Sequence, residues 1–342
     1  MLNTVNNFIE EGRKMLLLSK ENIKKVFTMK DAIEADKIAF KLVVEGKTNS
    51  PLRTNIQVPK YDGCLLFMPA YVEDMDVASL KIVNIFPRNI EKGMPTAPAQ
   101  VLLINGTTGI VVSVLDGTYV TKLRTGAASG VAFELLAKKD CKIGALIGTG
   151  GQAETQLEAM LTVRDLDEVR VYDLNYERAV DFVKEAERNF SSFKTKIMAV
   201  KSSDDAIDNA DLVITVTPST KPVFDGNKIK KGATISCVGA YQHHMQEMDP
   251  VILTRASKIF FDSKEAVLSE SGDILIPLEE GIITEEDFSG EIGDVIKGTV
   301  AGRENDDEII VFETVGVATQ DLIVANEIYN KALKENIGTI WE

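Results

Sequence analysis

The segment KIGALIGTGGQAETQLEAML, residues 142–161, constrains the fold more than any other stretch of the chain. It carries an apolar strand into a glycine-rich turn and from there into a helix. Gly148, Gly150 and Ala153 give the spacing G-x-G-x-x-A, in the strand–turn–helix context that a dinucleotide fingerprint requires. Gly148 allows the tight turn, Gly150 lets backbone approach a pyrophosphate, and Ala153 lets helix and strand pack closely. Gly151 and Gln152 complete the turn, and the helix N-terminus offers free N–H groups and its positive dipole end to phosphates. Asp173 ends the next strand, 20 residues after Ala153, where a carboxylate can accept the ribose hydroxyls. An acid at that place repels a 2′-phosphate, so the expected cofactor is NAD(H). Arg178 is the one nearby feature that softens this preference.

From this turn onward strands and helices alternate. EVRVYD, KIMAV, DLVITVT, GATISCVG and KIFFD are short and apolar, as strands of a parallel sheet covered on both faces must be. Thr215 and Thr217 end the third of these segments, and Val238, Gly239 and Ala240 come at the end of the fourth. They are expected at the carboxyl ends, where doubly wound sheets bind ligands. The first third of the chain reads differently. A helix runs from Thr28 to Gly46, with Ala35, Ile38, Ala39, Leu42 and Val43 on one face and Thr28 and Asp31 as cap residues. Short β-rich runs then occupy residues 53–114, with NGTTG as a hairpin signal. The tail reads as a strand and a long helix that returns to the first domain, and Asp321, in VATQDL, reads as a cap or an interdomain contact, with an approach to the nicotinamide cleft as the alternative. A chain of 342 residues exceeds the roughly 250–300 that one core usually serves. The expected fold class is α/β, with a Rossmann domain over residues 123–319 and a β-rich α+β domain over residues 1–122 and 320–342.

Composition narrows the function. With 44% hydrophobic and 26% charged residues the chain is not disordered, and a formal net charge of −14 argues against nucleic acid as a partner. No basic run is longer than Lys24-Lys25 or Lys228–Lys231, the latter interrupted by Ile229. No stretch approaches 18 consecutive apolar residues, and the N-terminal segment carries acids and amides where a secretory signal would be basic and then apolar. A cytoplasmic protein without membrane attachment is expected. Cys64, Cys141 and Cys237 lie far apart in apolar contexts, which suits reduced core residues and not a metal site. The only histidines are the adjacent His243 and His244, so a zinc site or a Ser-His-Asp triad would have to be built around one dipeptide.

In order and spacing, SPLRT, SLKIVNIFPRN, GMPTAPAQVLLIN, TKLRTGAASG, IGTGGQA, VTPSTKPVF, VGAYQHHMQEMD and FETVGVATQDL resemble the ornithine cyclodeaminase/μ-crystallin family over about residues 15–335. The resemblance implies an NAD(P)-dependent enzyme of amino acids or their imines: a cyclodeaminase, an archaeal-type alanine dehydrogenase or a ketimine reductase. It implies a Rossmann domain beside a substrate and dimerisation domain whose strands join those of a second copy, hence a homodimer. Carried onto matching positions, it puts Arg53 and Lys81 on the substrate carboxylate, with Met68 on the substrate side and Lys81 near the reacting nitrogen or carbon. Arg124 would sit by substrate and nicotinamide, with Thr125 and Thr96 on the cofactor side. The residue chemistry agrees: Arg makes bidentate contacts to carboxylates, and a desolvated Lys can exchange a proton. Lys81 also interrupts an otherwise apolar strand.

One departure bears on the reaction. Family cyclodeaminases carry an aspartate after VGG or VGA, where this chain has Tyr241. A phenol with a reference pKa of about 10 does not replace a carboxylate base at neutral pH. The expectation is therefore hydride transfer between NAD(H) and the α-carbon of a small amino acid or its imine, with Lys81 catalytic and Tyr241 donating a proton or hydrogen bond. His243 and His244 could do the same, or belong to a solvated loop. Ornithine cyclodeamination with recycled NAD and a non-catalytic ligand-binding role are the alternatives.

Overall fold

A computed structural model describes residues 14–342, so residues 1–13 of the acid- and amide-bearing N-terminal segment lie outside the described residues. The chain divides into two compact units, residues 1–124 with 317–342, and residues 125–316.

The first unit is a mixed sheet under helices. Its strands are β1 (Met15–Leu18), β2 (Thr48–Asn49), β3 (Thr54–Val58), β4 (Gly63–Val72), β5 (Val77–Ile85), β6 (Ala99–Asn105) and β7 (Val111–Asp116), with a last strand at Thr339–Trp341. β4 to β7 form an antiparallel meander, and β1 adds to β7 in parallel. The NGTTG signal is the β6–β7 turn, where the Asn105 side chain accepts from the Thr107 and Thr108 backbone N–H groups and Gly109 takes φ 73°. β1 and the last strand were not anticipated: each is too short to display an alternation of its own and is fixed by pairing. Helices α1 (Lys20–Val26) and α2 (Met29–Val44) follow β1, and Thr28 and Asp31 form the expected capping box of α2. The buried face of α2 is rotated from the expected one. It presents Ala32, Ile33, Ala35, Asp36, Ala39 and Phe40, so Ala35 and Ala39 are buried as expected, while Ile38 is 45% exposed and Leu42 and Val43 are only partly buried. The C-terminal helix, Ala318–Glu335, packs on α2 and on β4, β5 and β6.

Strand alternation sorts this sheet into two faces. Met68, Ala70, Ser79, Lys81 and Val101 are buried on the helix-covered side. Phe67, Tyr71, Leu80, Ile82, Leu102 and Val114 point the other way and are half-buried, an apolar face that no helix of the first unit covers among the described residues.

The second unit holds an all-parallel eight-stranded sheet. β8 (Ile143–Ile147), β9 (Glu168–Tyr172), β10 (Lys196–Ala199), β11 (Leu212–Thr215), β12 (Thr234–Cys237), β13 (Lys258–Phe261), β14 (Gly290–Glu291) and β15 (Ile310–Glu313) stand in the order β10-β9-β8-β11-β12-β15-β13-β14. The first five follow the Rossmann order, with the direction of winding reversing between β8 and β11. The three cysteines are free and buried. Among the described residues no helix is long and apolar enough to cross a membrane.

Candidate active site

In the second unit the glycine turn leaves β8 beside the exit of β11. Gly148 takes φ 105°, and a Cβ there would lie 2.8 Å from both the Thr217 side chain and the Val216 carbonyl oxygen, so only glycine fits. Gly150 and Gly151 are the opposite case: a Cβ on either would meet nothing within 4 Å beyond its chain neighbours. These two therefore form an open backbone cradle. Helix α4 (Ala153–Val163) begins directly after it, and Gln152 at its N-cap makes no side-chain capping bond, so the first-turn N–H groups are not taken by a cap. This fits a pyrophosphate. Asp173 is oriented at the mouth of the turn, accepting from Thr149 N (3.1 Å), Thr149 Oγ1 (2.6 Å) and Asn175 N (2.9 Å). Arg178 is exposed two residues into the following helix.

Helix α3 (Gly117–Leu136) explains its run of small residues by close packing. A Cβ on Gly126 would lie 2.4 Å from the Thr155 carbonyl oxygen, and Gln156 Nε2 donates to the Thr125 carbonyl at 2.9 Å. Thr215 and Ala240 are fully buried, Val238 continues the ladder by donating to the Thr215 carbonyl, and Thr217 is half-buried. Tyr241 is half-buried in the loop after β12, whereas His243 and His244 are exposed and His243 Nε2 lies 2.8 Å from Glu279 Oε1.

In the first unit three ionisable side chains meet in the interior. Lys81 on β5, only 1% exposed, places Nζ 2.5 Å from Oδ2 of Asp321, which is fully buried on the C-terminal helix. Arg124 donates through Nε to the other oxygen, Oδ1, at 3.2 Å. The cluster extends through Gln320, which accepts from Arg124 at 3.4 Å and donates to Asp36 at 2.8 Å. Met68 is the cross-strand neighbour of Lys81 on the same buried face. Burial lowers the Lys81 pKa to about 7; Arg124 and Arg53 push the same way, and Asp321 opposes them. Arg53 is thus close enough to be felt at Lys81. Thr96 stands apart from this group, in an exposed loop where its carbonyl accepts from Phe86 N.

Asp321 is a correction to the sequence reading. It is not a cap: the residue before the helix is Val317, and both Asp321 oxygens go to cations. An acid in the first turn of a helix ordinarily complements the macrodipole, which hid this role. The surviving signal was its place among apolar neighbours in VATQDLIVA.

The ornithine cyclodeaminase/mu-crystallin family model matches residues 13–336. The chain is 35% identical over 324 residues to a Δ(1)-pyrroline-2-carboxylate reductase of Bacillus cereus, covering 95% of this chain and 98% of that one. The structure of the Thermococcus litoralis Δ(1)-pyrroline-2-carboxylate reductase in complex with NADH and L-proline superposes with a TM-score of 0.91 at 41% identity, covering 95% and 99% of the two chains. An archaeal alanine dehydrogenase dimer with bound NAD gives 0.88 at 37%, covering 96% and 99%. With a match over nearly its whole length, the chain belongs to the ornithine cyclodeaminase/mu-crystallin family.

Proposed function

We propose that the chain is an NAD(H)-dependent oxidoreductase that reduces a small cyclic α-imino acid of the Δ1-pyrroline-2-carboxylate class to the amino acid and runs the reverse oxidation. The observation that carries this reading is the buried Lys81–Asp321–Arg124 cluster. Two cations share the Asp321 carboxylate, with Arg53 acting on Lys81 as well, so an anionic substrate brings the charge that the cations favour. Arg124 and Arg53 are the groups to grip a carboxylate in plane, and Lys81 is the point charge beside it.

Gly148, Gly150, Gly151 and Asp173 would hold NADH, which when bound would supply the hydride. Lys81 holds the proton that the imine nitrogen needs: with a pKa of about 7 its Nζ gives up a proton at neutral pH and regains one from solvent. Asp321 keeps Nζ in place and stabilises its charged form. Thr215, Thr217, Val238, Gly239 and Ala240, with Thr96 and Thr125, are assigned to the cofactor and Met68 to the substrate. Tyr241 donates a hydrogen bond to the substrate nitrogen or a water and is no carboxylate base, which disfavours cyclodeamination.

The half-buried apolar face of β4 to β7 supports assembly as a homodimer through the first unit. The similar archaeal alanine dehydrogenase is a dimer.

NADH oxidation measured with Δ1-pyrroline-2-carboxylate, Δ1-piperideine-2-carboxylate and pyruvate plus ammonia tests the reading. Turnover of a cyclic imine is expected, and Lys81→Ala should retain NADH binding while losing at least about a thousandfold in kcat. Turnover of pyruvate and ammonia alone would make the chain an alanine dehydrogenase. Proline formed from ornithine without net NADH would make it a cyclodeaminase.

A further inference from the structure

A second buried ionisable cluster lies in the other unit, and no step above uses it. Glu247, fully buried, accepts from the backbone N–H of Thr217 through Oε1 at 2.5 Å and from that of Gly239 through Oε2 at 2.6 Å. Thr217 follows β11 and Gly239 follows β12, so one carboxylate ties together the two loops at the carboxyl ends of adjacent strands. The fit is tight enough to demand glycine: a Cβ on Gly239 would lie 2.2 Å from Glu247 Oε2 and 2.1 Å from the Thr217 carbonyl. Glu247 is itself held from behind, because Asp273 Oδ1 accepts from the backbone N–H of Glu247 at 2.7 Å and of Met248 at 2.8 Å.

We infer that Glu247 is a positioning residue for the cofactor, acting as an anionic clamp that fixes the loops after β11 and β12 at the spacing NADH binding requires. This rests on the reading of the second unit as the NAD(H) domain. Both donors are backbone N–H groups and cannot turn into acceptors, so both Glu247 oxygens must accept, which the ionised carboxylate does better than the acid form, whose hydroxyl oxygen is a weak acceptor. The Oδ2 of buried Asp273 and the Oε2 of buried Glu313 have no hydrogen-bond partner and leave room for a proton there, while the two N–H bonds at Glu247 favour its ionised form against the burial and the Asp273 charge that push its pKa up to about 8. Gly148 lies against Thr217 as well, so the loop that Glu247 holds also braces the glycine turn.

The test is Glu247→Gln in the full-length protein, read by NADH fluorescence titration and by steady-state kinetics. The amide keeps one acceptor and presents an NH2 to the other N–H, so one loop is released. The Kd and KM for NADH should rise about tenfold or more. The imine KM should change less than about threefold, and kcat at saturating NADH should be largely recovered, a split that a general loss of stability would not produce. Wild-type amide exchange gives an independent reading if the variant fails to fold. The Thr217 and Gly239 amides should be protected to the degree of β11 and β12, although neither residue is in a strand. Fast exchange of both, or unchanged NADH affinity in Glu247→Gln, would overturn the clamp alone. A wild-type chain that binds no NADH would overturn the cofactor reading and the clamp with it.

Discussion

The two units each bury a cluster of ionisable groups, and the clusters are built on opposite plans. Around Lys81 the charges are mixed, and each Asp321 oxygen faces a cation. Around Asp273 every member is acidic: Glu247 and Asp273 are satisfied by backbone N–H groups, Glu313 accepts from Ser271 at 2.7 Å, and an oxygen is left over on both Asp273 and Glu313. Burial raises the pKa of all three acids, that of Glu247 to about 8 and that of Asp273 to about 6, with neighbouring acids adding to the shift at Glu247 and Glu313 and backbone N–H groups opposing it at Glu247 and Asp273. On the proposed function, the first arrangement holds charge ready for a substrate. The second holds backbone in place, and its excess acidity is relieved by protons. Removing one carboxylate should therefore have opposite consequences in the two places.

The largest effect is expected at Asp321. Asp321→Asn leaves Lys81 and Arg124 buried without their shared counter-charge, and breaking a buried pair in this way costs about 3–5 kcal/mol. Urea denaturation should reveal that loss. The Lys81 pKa, freed of the one group that raises it, should fall further below about 7. Imine reduction should drop by about a hundredfold or more, with the NADH Kd little changed. A stable and active Asp321→Asn variant would break the comparison at its first half.

The pH dependence of the wild type comes next. Lys81 carries its proton below a pKa of about 7, so imine reduction should be maximal there and fall about tenfold per pH unit above it. Amino-acid oxidation needs the neutral amine and should rise through the same interval. Because the folded pKa lies below the ordinary 10.5, the native state binds fewer protons than the unfolded chain between these values. Lys81 therefore makes stability increase with pH across that window. A reductive rate independent of pH from 6 to 9 would remove Lys81 from the proton transfer.

The glycine turn and the lysine cluster differ in how far they could be read from residues alone. Gly148, Gly150 and Asp173 are local: their spacing within one strand–turn–helix unit carries the chemistry, and the parallel sheet follows from apolar strands separated by helices. The Lys81 cluster is assembled from β5, α3 and the C-terminal helix, with Asp321 separated from Lys81 by 240 positions, and no local pattern records that meeting. The same holds for Glu247, Asp273 and Glu313, each of which looks like an ordinary surface acid in its own segment. The rotated face of α2 has a similar cause, since Asp36 is turned inward by Gln320, far away in sequence.

A smaller effect is expected at the local site. Asp173→Ser removes the charge that repels a 2′-phosphate and also releases Thr149 and Asn175 N. The KM for NADH should rise about tenfold while NADPH becomes a usable reductant. Initial rates with the two coenzymes measure this, and unchanged selectivity would transfer the discrimination to Arg178 or elsewhere.

The smallest effect tests the acidic cluster. Asp273→Asn keeps Oδ1 for the Glu247 and Met248 N–H groups and replaces the unpartnered oxygen with an NH2 that can donate to Glu313. In the wild type the Asp273 pKa is raised from 3.8 to about 6, so the native state holds a proton that the unfolded chain has released. That contribution is present in acid and is lost as pH rises from about 4 through about 6. The asparagine variant has no such proton to lose. It should match the wild type near pH 4 and exceed it by on the order of 1 kcal/mol at pH 8, seen as a higher Tm at the upper pH only. This is the reverse of the sign expected for Asp321→Asn. Destabilisation of Asp273→Asn at pH 8 would mean that a positive group, not a proton, balances the acids, and the contrast between the two clusters would fail.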